Sequence, residues 1–261
     1  MMIEIDEVDD DRLGDYRRLS DPEYRTALES EQGVFVAEGV FVIERLLASD
    51  LQIRSLMLTR QRYERLEGRL GRCTAPVYVA DQPVMEGIVG FPFHRGALAI
   101  GERPPPAGVA EVVSGARLVC VLEGIGDHEN LGAILRSADA LGVDAVVLDP
   151  TCADPWYRRS VRVSMGAVFS VPMARARSWP DDIASLDGCS IAAMTVSRAA
   201  RPVTDLESGR WAVLLGAEGP GLSQSARSIA DVEVTIPMRE GVDSLNVAHA
   251  AAIAFHHLGV R

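Results

Sequence analysis

The chain has 261 residues, of which 48% are hydrophobic and 24% are charged, so it is long enough for one or two domains with buried cores. All 26 basic residues are arginine, and the absence of lysine excludes a P-loop lysine, the kinase strand lysine and a lysine Schiff base. The formal net charge of −11 weighs against a nucleic-acid partner, although five arginines within residues 60–72 leave room for a local basic patch.

The first hundred residues alternate between strand and helix patterns. A turn at Glu38-Gly39 is predicted to join a strand to an amphipathic helix, and residues 60–72 predict an arginine-rich helix. This alternation predicts a small α/β domain over residues 1–102. The predicted strand–turn–helix covers residues 33–49, and the further predicted strands cover 51–59, 75–81 and 96–102.

A proline-rich linker is predicted at residues 103–108, because three consecutive prolines cannot continue a helix or a strand. The alternation then restarts and predicts a second α/β domain over residues 109–261. Near-continuous Val, Ile and Leu strands between helices predict a parallel sheet, and such sheets bind ligands at the carboxyl ends of their strands. The predicted strands cover residues 117–125, 144–149, 190–196, 211–219 and 232–238, and the predicted helices cover 131–143 and 245–260.

The cysteines and the N-terminal residues indicate the compartment. The four cysteines lack CxxC or zinc-type spacing, so we interpret them as small buried side chains in a reducing environment. The first residues are acidic where a signal peptide would be basic and then apolar, and no stretch is long and apolar enough to span a membrane. We therefore predict a soluble cytoplasmic protein without membrane contact.

The first polar junction lies between the strand of residues 117–125 and the helix that follows it. Asn130 precedes that helix and is predicted to be its N-cap. Arg136 lies off the apolar stripe of the helix. Taken alone, it is most simply a solvated arginine; the functional alternative is a guanidinium poised over the strand ends to bind a phosphate or a hydroxyl.

Two more junctions follow later strands. The loop LLGAEGPGLS lacks the GxGxxG pattern and opens no long helix, so it gives little support to a dinucleotide site, but it places Glu218 between glycines. In IPMREGVDSLNVAHA, Asp243 and Ser244 are predicted N-caps, and Asn246 is predicted in the first helical turn. The histidines of this helix have no carboxylate at ligand spacing, so we predict no metal site.

The three junctions together resemble the SpoU/TrmH branch of the SPOUT RNA methyltransferases. The similar segments are ENLGAILRSADALGV, LLGAEGPGLS and IPMREGVDSLNVAHA, in that order, and ADPWYRRSVRVSMGAVFSVP between the first two is also similar. The N-terminal unit, with FVAEG and GALAI, is similar to a small substrate-binding domain whose fold is shared with RNA-binding ribosomal proteins. One departure is His128-Glu129 after Asp127, where many members have a proline.

The resemblance implies an α/β methyltransferase domain with a deep trefoil knot, S-adenosylmethionine bound in the knot, and a homodimer packed through it. The implied reaction is methyl transfer to a ribose 2′-hydroxyl in structured RNA. The residues that the resemblance assigns to the cofactor are Thr195, Gly216, Ile236, Met238 and Leu245.

The resemblance also assigns the catalytic residues. Arg136 is the residue that activates the ribose hydroxyl, and Asn130 positions either Arg136 or the ribose. Glu218 holds this network, and Ser244 and Asn246 complete the site. Because an arginine with an ordinary pKa is a weak base, we expect orientation and charge stabilisation to be the main role of Arg136.

RNA contacts are expected on arginines, with Tyr63 available for stacking. The alternative for the arginine-rich helix is a solvated face that pairs with Glu64 and Glu67. The predicted RNA-binding residues are Arg158, Arg159, Arg162, Arg62 and Arg65. We favour 23S ribosomal RNA as substrate; a transfer RNA methyltransferase and a non-catalytic RNA-binding protein of the same fold are the alternatives. A nicotinamide dehydrogenase is disfavoured by the missing GxGxxG.

Overall fold

A computed structural model describes residues 1–17, 19–21, 29, 31–186 and 188–259. The chain forms two compact units. The first contains Met1–Pro104 together with Trp156–Phe169, and the second contains Pro105–Pro155 together with the chain from Ser170 onward. The boundary between Pro104 and Pro105 lies within the predicted linker. Residues 156–169, which the sequence places within the second domain, instead group with the first unit.

The elements are as follows, in chain order. The strands are β1 (Met2–Ile5), β2 (Val34–Glu38), β3 (Ile53–Thr59), β4 (Val77–Ala80), β5 (Ala97–Glu102), β6 (Leu118–Glu123), β7 (Ala145–Leu148), β8 (Met173–Arg175), β9 (Ser190–Met194), β10 (Arg201–Pro202), β11 (Trp211–Gly216) and β12 (Val232–Thr235). The helices are α1 (Val40–Ala48), α2 (Arg60–Leu70), α3 (Gln82–Val89), α4 (Val109–Val112), α5 (His128–Leu141), α6 (Arg158–Val163), α7 (Asp181–Ala184), α8 (Gln224–Ser228) and α9 (Val247–Leu258).

The first unit contains a five-stranded mixed sheet in the order β1-β4-β3-β5-β2. Strand β4 runs parallel to β1 and β3, and β5 runs antiparallel to β3 and β2. The edge strand β1 is absent from the sequence-based elements, because its glutamate and the acidic residues after it obscure the alternation. Its period of two is nevertheless present, since Ile5 is buried and Ile3 packs against the core.

The second unit contains a seven-stranded sheet in the order β10-β12-β9-β11-β6-β7-β8, and every pair is parallel. The central strands β6 and β11 are almost entirely apolar and are buried on both faces, as parallel sheets require. Helices α5 and α9 pack against each other in this unit. The predicted parallel α/β fold is confirmed, whereas the trefoil knot stays a prediction.

The cysteines match the predicted burial only in part. Cys120 and Cys152 are buried, and Cys73 and Cys189 are half-buried. Burial raises the pKa of the Cys152 thiol to about 12, helped by the neighbouring Asp149 carboxylate. Every helix within the described ranges is too short or too polar to cross a bilayer.

Candidate active site

The carboxyl ends of four neighbouring parallel strands, β12, β9, β11 and β6, define one edge of the second sheet. Gly216 at the end of β11 lies opposite Glu123 at the end of β6. Each of the three polar junctions begins where one of these strands ends. The fold therefore brings the junctions to the same edge, as the position of ligand sites in parallel sheets predicts.

Three side chains, one from each junction, meet in a hydrogen-bonded cluster. Asn246 Nδ2 donates to Asn130 Oδ1 over 2.8 Å and to Glu218 Oε1 over 2.7 Å. Asn246 and Glu218 are exposed, and Asn130 is half-buried. The cluster is thus assembled from residues 116 positions apart in the chain and remains open to solvent.

The helix caps differ from the predicted ones. Asp127, not Asn130, is the N-cap of α5, and its carboxylate accepts hydrogen bonds from the backbone N–H groups of Glu129 and Asn130. A carboxylate is a strong cap because it also interacts favourably with the positive end of the helix. Asn130 lies in the first turn as a result, and its side-chain oxygen accepts from Asn246 instead.

The prediction for the second helix start was wrong in the same way. Asn246 is itself the N-cap of α9, and its Oδ1 accepts from the backbone N–H of Ala248 over 2.9 Å. Asp243 and Ser244, the predicted caps, lie in the exposed loop before it. The amide of Asn246 therefore caps a helix with its oxygen and joins the polar cluster with its nitrogen.

Arg136 lies six residues after Asn130 on α5, which is about 9 Å along the helix axis. Its side chain is exposed. Within the described part of the chain, its guanidinium makes no hydrogen bond or ion pair. Asn130 is bonded to Asn246 rather than to Arg136, so the suggestion that Asn130 positions Arg136 is not supported by this geometry.

A buried carboxylate that the sequence analysis did not single out lies at the same edge. Glu123 is 9% exposed and accepts hydrogen bonds from Trp179 Nε1, Ser223 N and Ser223 Oγ, each over 2.7 Å. These contacts anchor the end of the loop that carries Glu218. The sequence signal was an acidic residue closing an otherwise apolar strand, where an unpaired charge would be costly.

The loop after β11 explains why residue 216 is glycine. Gly221 N donates to Ala217 O over 3.0 Å, which closes a tight turn with Glu218 near its tip. A Cβ on Gly216 would lie 2.3 Å from Gly221 C and from Leu222 N. The glycine is therefore required by the chain's own backbone, whether or not a ligand also approaches it.

The other predicted cofactor residues lie at or just beyond strand ends of this edge. Thr195 follows β9, and its N–H donates to Val234 O of the neighbouring strand over 2.8 Å. Ile236 and Met238 follow β12 and are half-buried, and Leu245 is 38% exposed. Ile236, Met238 and Leu245 are thus incompletely packed apolar side chains, of the kind that lines small-molecule sites.

The predicted RNA-binding arginines differ in accessibility. The structure contradicts an RNA contact by Arg158, because this residue is 8% exposed and its Nε and Nη2 lie 2.9 Å and 2.8 Å from Glu38 Oε2. Arg159 is exposed, and Arg162 is half-buried. Arg62 and Arg65 lie on α2 in the first unit, with Arg65 exposed. For these four residues RNA contact stays a prediction.

Comparison with known proteins gives the identity of the fold and the family. The sequence profile of the SpoU rRNA Methylase family matches residues 117–256, more than half of the chain and all three junctions. The chain belongs to the SpoU rRNA methylase family. Membership in this family confirms the predicted resemblance and the prediction that the chain is an RNA methyltransferase.

Individual relatives agree with the family assignment. A tRNA/rRNA methyltransferase of Mycobacterium bovis, called uncharacterized, is 46% identical over 96% of this chain and 92% of its own length. The 23S rRNA (guanosine(2553)-2′-O)-methyltransferase RlmP of Bacillus subtilis is 25% identical over 98% of this chain and 99% of its own. The AdoMet-bound rRNA methyltransferase of Sinorhizobium meliloti has a similar fold, with a TM-score of 0.80, 24% identity and coverage of 97% of this chain and 96% of that one.

Among the residues that the structure describes, no group of three or more His, Cys, Asp or Glu side chains could hold a metal ion. His249 and His256 are exposed on α9, and His257 Nε2 lies 3.2 Å from Leu206 O. The polar side chains of the candidate site are the amides of Asn130 and Asn246, the carboxylate of Glu218, the guanidinium of Arg136 and the hydroxyls of Thr195 and Ser244.

Proposed function

We propose that this SpoU family member transfers the methyl group of S-adenosylmethionine to a ribose 2′-hydroxyl of 23S ribosomal RNA. The observation that carries the proposal is the hydrogen-bonded cluster of Asn130, Glu218 and Asn246. The cluster lies at the edge of the sheet where α5, the helix that contains Arg136, begins. The RlmP relative, a 23S rRNA 2′-O-methyltransferase that matches nearly the whole chain, supports both the reaction and the substrate.

S-adenosylmethionine supplies a methyl group on a sulfonium, so transfer forms an O–CH₃ bond as the S–CH₃ bond breaks. The ribose hydroxyl is a poor nucleophile until its proton leaves or its developing charge is stabilised. Arg136 donates hydrogen bonds to the 2′-oxygen and stabilises that charge. Because an arginine remains protonated at neutral pH, the hydroxyl proton passes to water or to an RNA phosphate rather than to Arg136.

The remaining site residues bind the cofactor and orient the ribose relative to it. Thr195, Gly216 and the apolar side chains of Ile236, Met238 and Leu245 bind the cofactor at the strand ends. Asn246 ties Asn130 to Glu218 and so fixes α5, which carries Arg136, relative to the loop after β11. Ser244 lies two residues before Asn246 in an exposed loop, and we propose that its hydroxyl contacts the ribose.

The experiment uses purified protein, methyl-labelled S-adenosylmethionine and separate pools of unmodified 23S rRNA and tRNA, with identification of the labelled nucleoside. We expect a 2′-O-methyl nucleoside from the rRNA pool. Label in the tRNA pool alone would favour tRNA as the substrate. We include the tRNA pool because the Mycobacterium bovis relative is named as a tRNA/rRNA methyltransferase.

Arg136→Ala should reduce the rate of transfer by about a hundredfold or more, since it removes donors to the developing oxyanion, and should leave cofactor affinity unchanged. The matched control is Arg117→Ala, which removes an exposed arginine at the start of β6, on the opposite edge of the sheet. Full activity of Arg136→Ala would remove Arg136 from the mechanism. Loss of activity in both variants would point to a general charge effect.

We also propose that the enzyme works as a homodimer in the cytoplasm, where its rRNA substrate is made. Light scattering of the purified protein tests the dimer. A non-catalytic RNA-binding role is disfavoured because all five predicted catalytic residues are present and three of them are joined by hydrogen bonds.

A further inference from the structure

The first unit contains a cavity of about 300 Å³ on the surface between the start of α1, the middle of α2 and the turn before β5. Its lining includes Phe41, Arg62, Arg65, His94 and Arg95. The volume is at the lower end of the range of about 300–1,000 Å³ that small-molecule sites occupy. The cavity is therefore large enough for a group the size of a nucleotide.

Close packing of the turn at Gly96 against α2 places one of these arginines, Arg62. Gly96 has a φ of +66°, and a Cβ there would lie 2.9 Å from Thr59 Oγ1 and 3.3 Å from Arg62 Cγ. Because residue 96 is glycine, the turn can approach α2, and Arg62 Nε donates to Arg95 O over 3.2 Å. This contact holds the Arg62 side chain against the backbone of Arg95.

The rim of the cavity carries an excess of positive charge. Glu38 lies at its floor, with Arg95 Nε at 3.1 Å from one carboxylate oxygen and Arg162 Nη1 at 3.7 Å from the other. Arg158 also pairs with this carboxylate, so three guanidinium groups contact Glu38. Within the described ranges, neither Arg62 nor Arg65 makes an ion pair, and the alternative pairing with the glutamates of α2 is not observed.

An exposed aromatic ring lies within this cationic rim. Phe41, the second residue of α1, is 59% exposed, and the guanidinium carbon of Arg65 lies 5.3 Å from its ring centroid. A single exposed phenylalanine is unremarkable by itself. A phenylalanine next to arginines without an ion-pair partner is the combination that binds an unstacked base and its phosphate, because the ring stacks on the base and the arginines pair with the backbone.

We propose that this cavity binds one unpaired nucleotide of the RNA substrate, with its base stacked on Phe41 and its phosphate held by Arg62 and Arg65. The inference rests on the proposed function, which makes RNA the substrate, and adds the site at which the first unit holds it. Tyr63, the aromatic residue that the sequence suggested for stacking, is not part of the cavity lining.

The test measures binding of a fluorescent single-stranded RNA of twelve nucleotides to the full-length protein in the absence of S-adenosylmethionine. We expect Phe41→Ala to weaken binding at least about fivefold, Arg65→Ala to weaken it and reduce its salt dependence, and Phe41→Tyr to retain it. Tyr63→Ala and Arg69→Ala are matched controls on α2 outside the cavity and should bind within about twofold of wild type. Circular dichroism of each variant verifies folding.

Several outcomes would overturn the inference. Equal binding by Phe41→Ala and wild type would do so, as would the absence of any binding of the oligonucleotide by wild type. Variants that lose as much affinity for a blunt duplex of the same sequence as for the single strand would indicate phosphate contacts alone. Displacement of the oligonucleotide by micromolar uridine monophosphate would assign the cavity to a free nucleotide instead. If wild type binds through Phe41 but transfers no methyl group to rRNA, the proposed function fails and this site remains.

Discussion

Asn246 performs two tasks with one side-chain amide. Its oxygen accepts from Ala248 N and caps α9, and its nitrogen donates to both Asn130 and Glu218. An aspartate at this position retains the oxygen that caps the helix but has no donor for the other two residues. The structural role and the proposed catalytic role of Asn246 can therefore be separated by substitution.

We expect Asn246→Asp to change the free energy of unfolding by no more than about 0.5 kcal/mol, because Asp and Asn are comparable N-caps and solvent at this exposed position screens the repulsion from Glu218. Methyl transfer should nevertheless be largely lost, since a second carboxylate would then face Glu218. Asn246→Ala should lose about 1 kcal/mol as well as activity. Urea unfolding and initial rates of label transfer measure the two effects, and normal transfer by Asn246→Asp would show that the amide donor is dispensable.

At the scale of elements, the loop from Ala217 to Ser223 is the part of the site with the least freedom. Its start is fixed by the turn between Ala217 and Gly221, and its end by the contacts of Ser223 with the buried Glu123. Gly216 lies against the backbone of this loop. Any side chain at residue 216 must therefore displace the loop that carries Glu218.

Gly216→Ala is expected to lower the free energy of unfolding by about 1–3 kcal/mol, because its Cβ would overlap backbone atoms that cannot rotate away. Affinity for S-adenosylmethionine should fall too, through the displaced loop. Gly126→Ala is the matched control in the same unit, since a Cβ there meets nothing within 4 Å. Urea unfolding and calorimetric titration of S-adenosylmethionine report the two effects; a Gly216→Ala protein as stable as the control would contradict the close approach of the loop to residue 216.

At the scale of the whole molecule, local pattern was enough to predict most of the sheet strands and the polar junctions. Apolar strands such as β6 and β11 and the glycine-rich loop after β11 are recognisable because their side chains leave few alternatives. The resemblance to the family implied that Asn130, Glu218 and Asn246 belong to one site, and the rule that parallel strands end at a common edge is consistent with their meeting.

The errors arose where a residue's role depends on contacts distant in sequence. Asp127 competed with Asn130 for the same cap, and propensity alone does not rank two good caps three residues apart. Arg158 was predicted to be an RNA contact because it lies in the segment that resembles the family, whereas Glu38, 120 residues earlier, pairs with it in the interior. Glu123 was missed because its three donors come from distant segments.

The first unit is completed by a segment from the middle of the chain. Within residues 156–169, the rings of Trp156 and Phe169 each lie 5.2 Å from the ring of Phe35, which is fully buried. Arg158 from the same segment pairs with the buried Glu38. A fragment that ends at Pro104 therefore contains the sheet but lacks two aromatic partners and the main cation of its buried carboxylate.

We expect the isolated fragment of residues 1–104 to be at least about 3 kcal/mol less stable than the same fragment with residues 156–169 attached through a flexible Gly/Ser linker. The reason is that removal of Arg158 leaves Glu38 buried with weaker compensation, and an exposed Phe35 face loses its packing. Urea unfolding and binding of a hydrophobic dye compare the two fragments, and a linked fragment with residues 156–169 in shuffled order controls for added length. Equal stability of all three would mean that the first unit folds without this segment, so that residues 156–169 would be free to serve the RNA site.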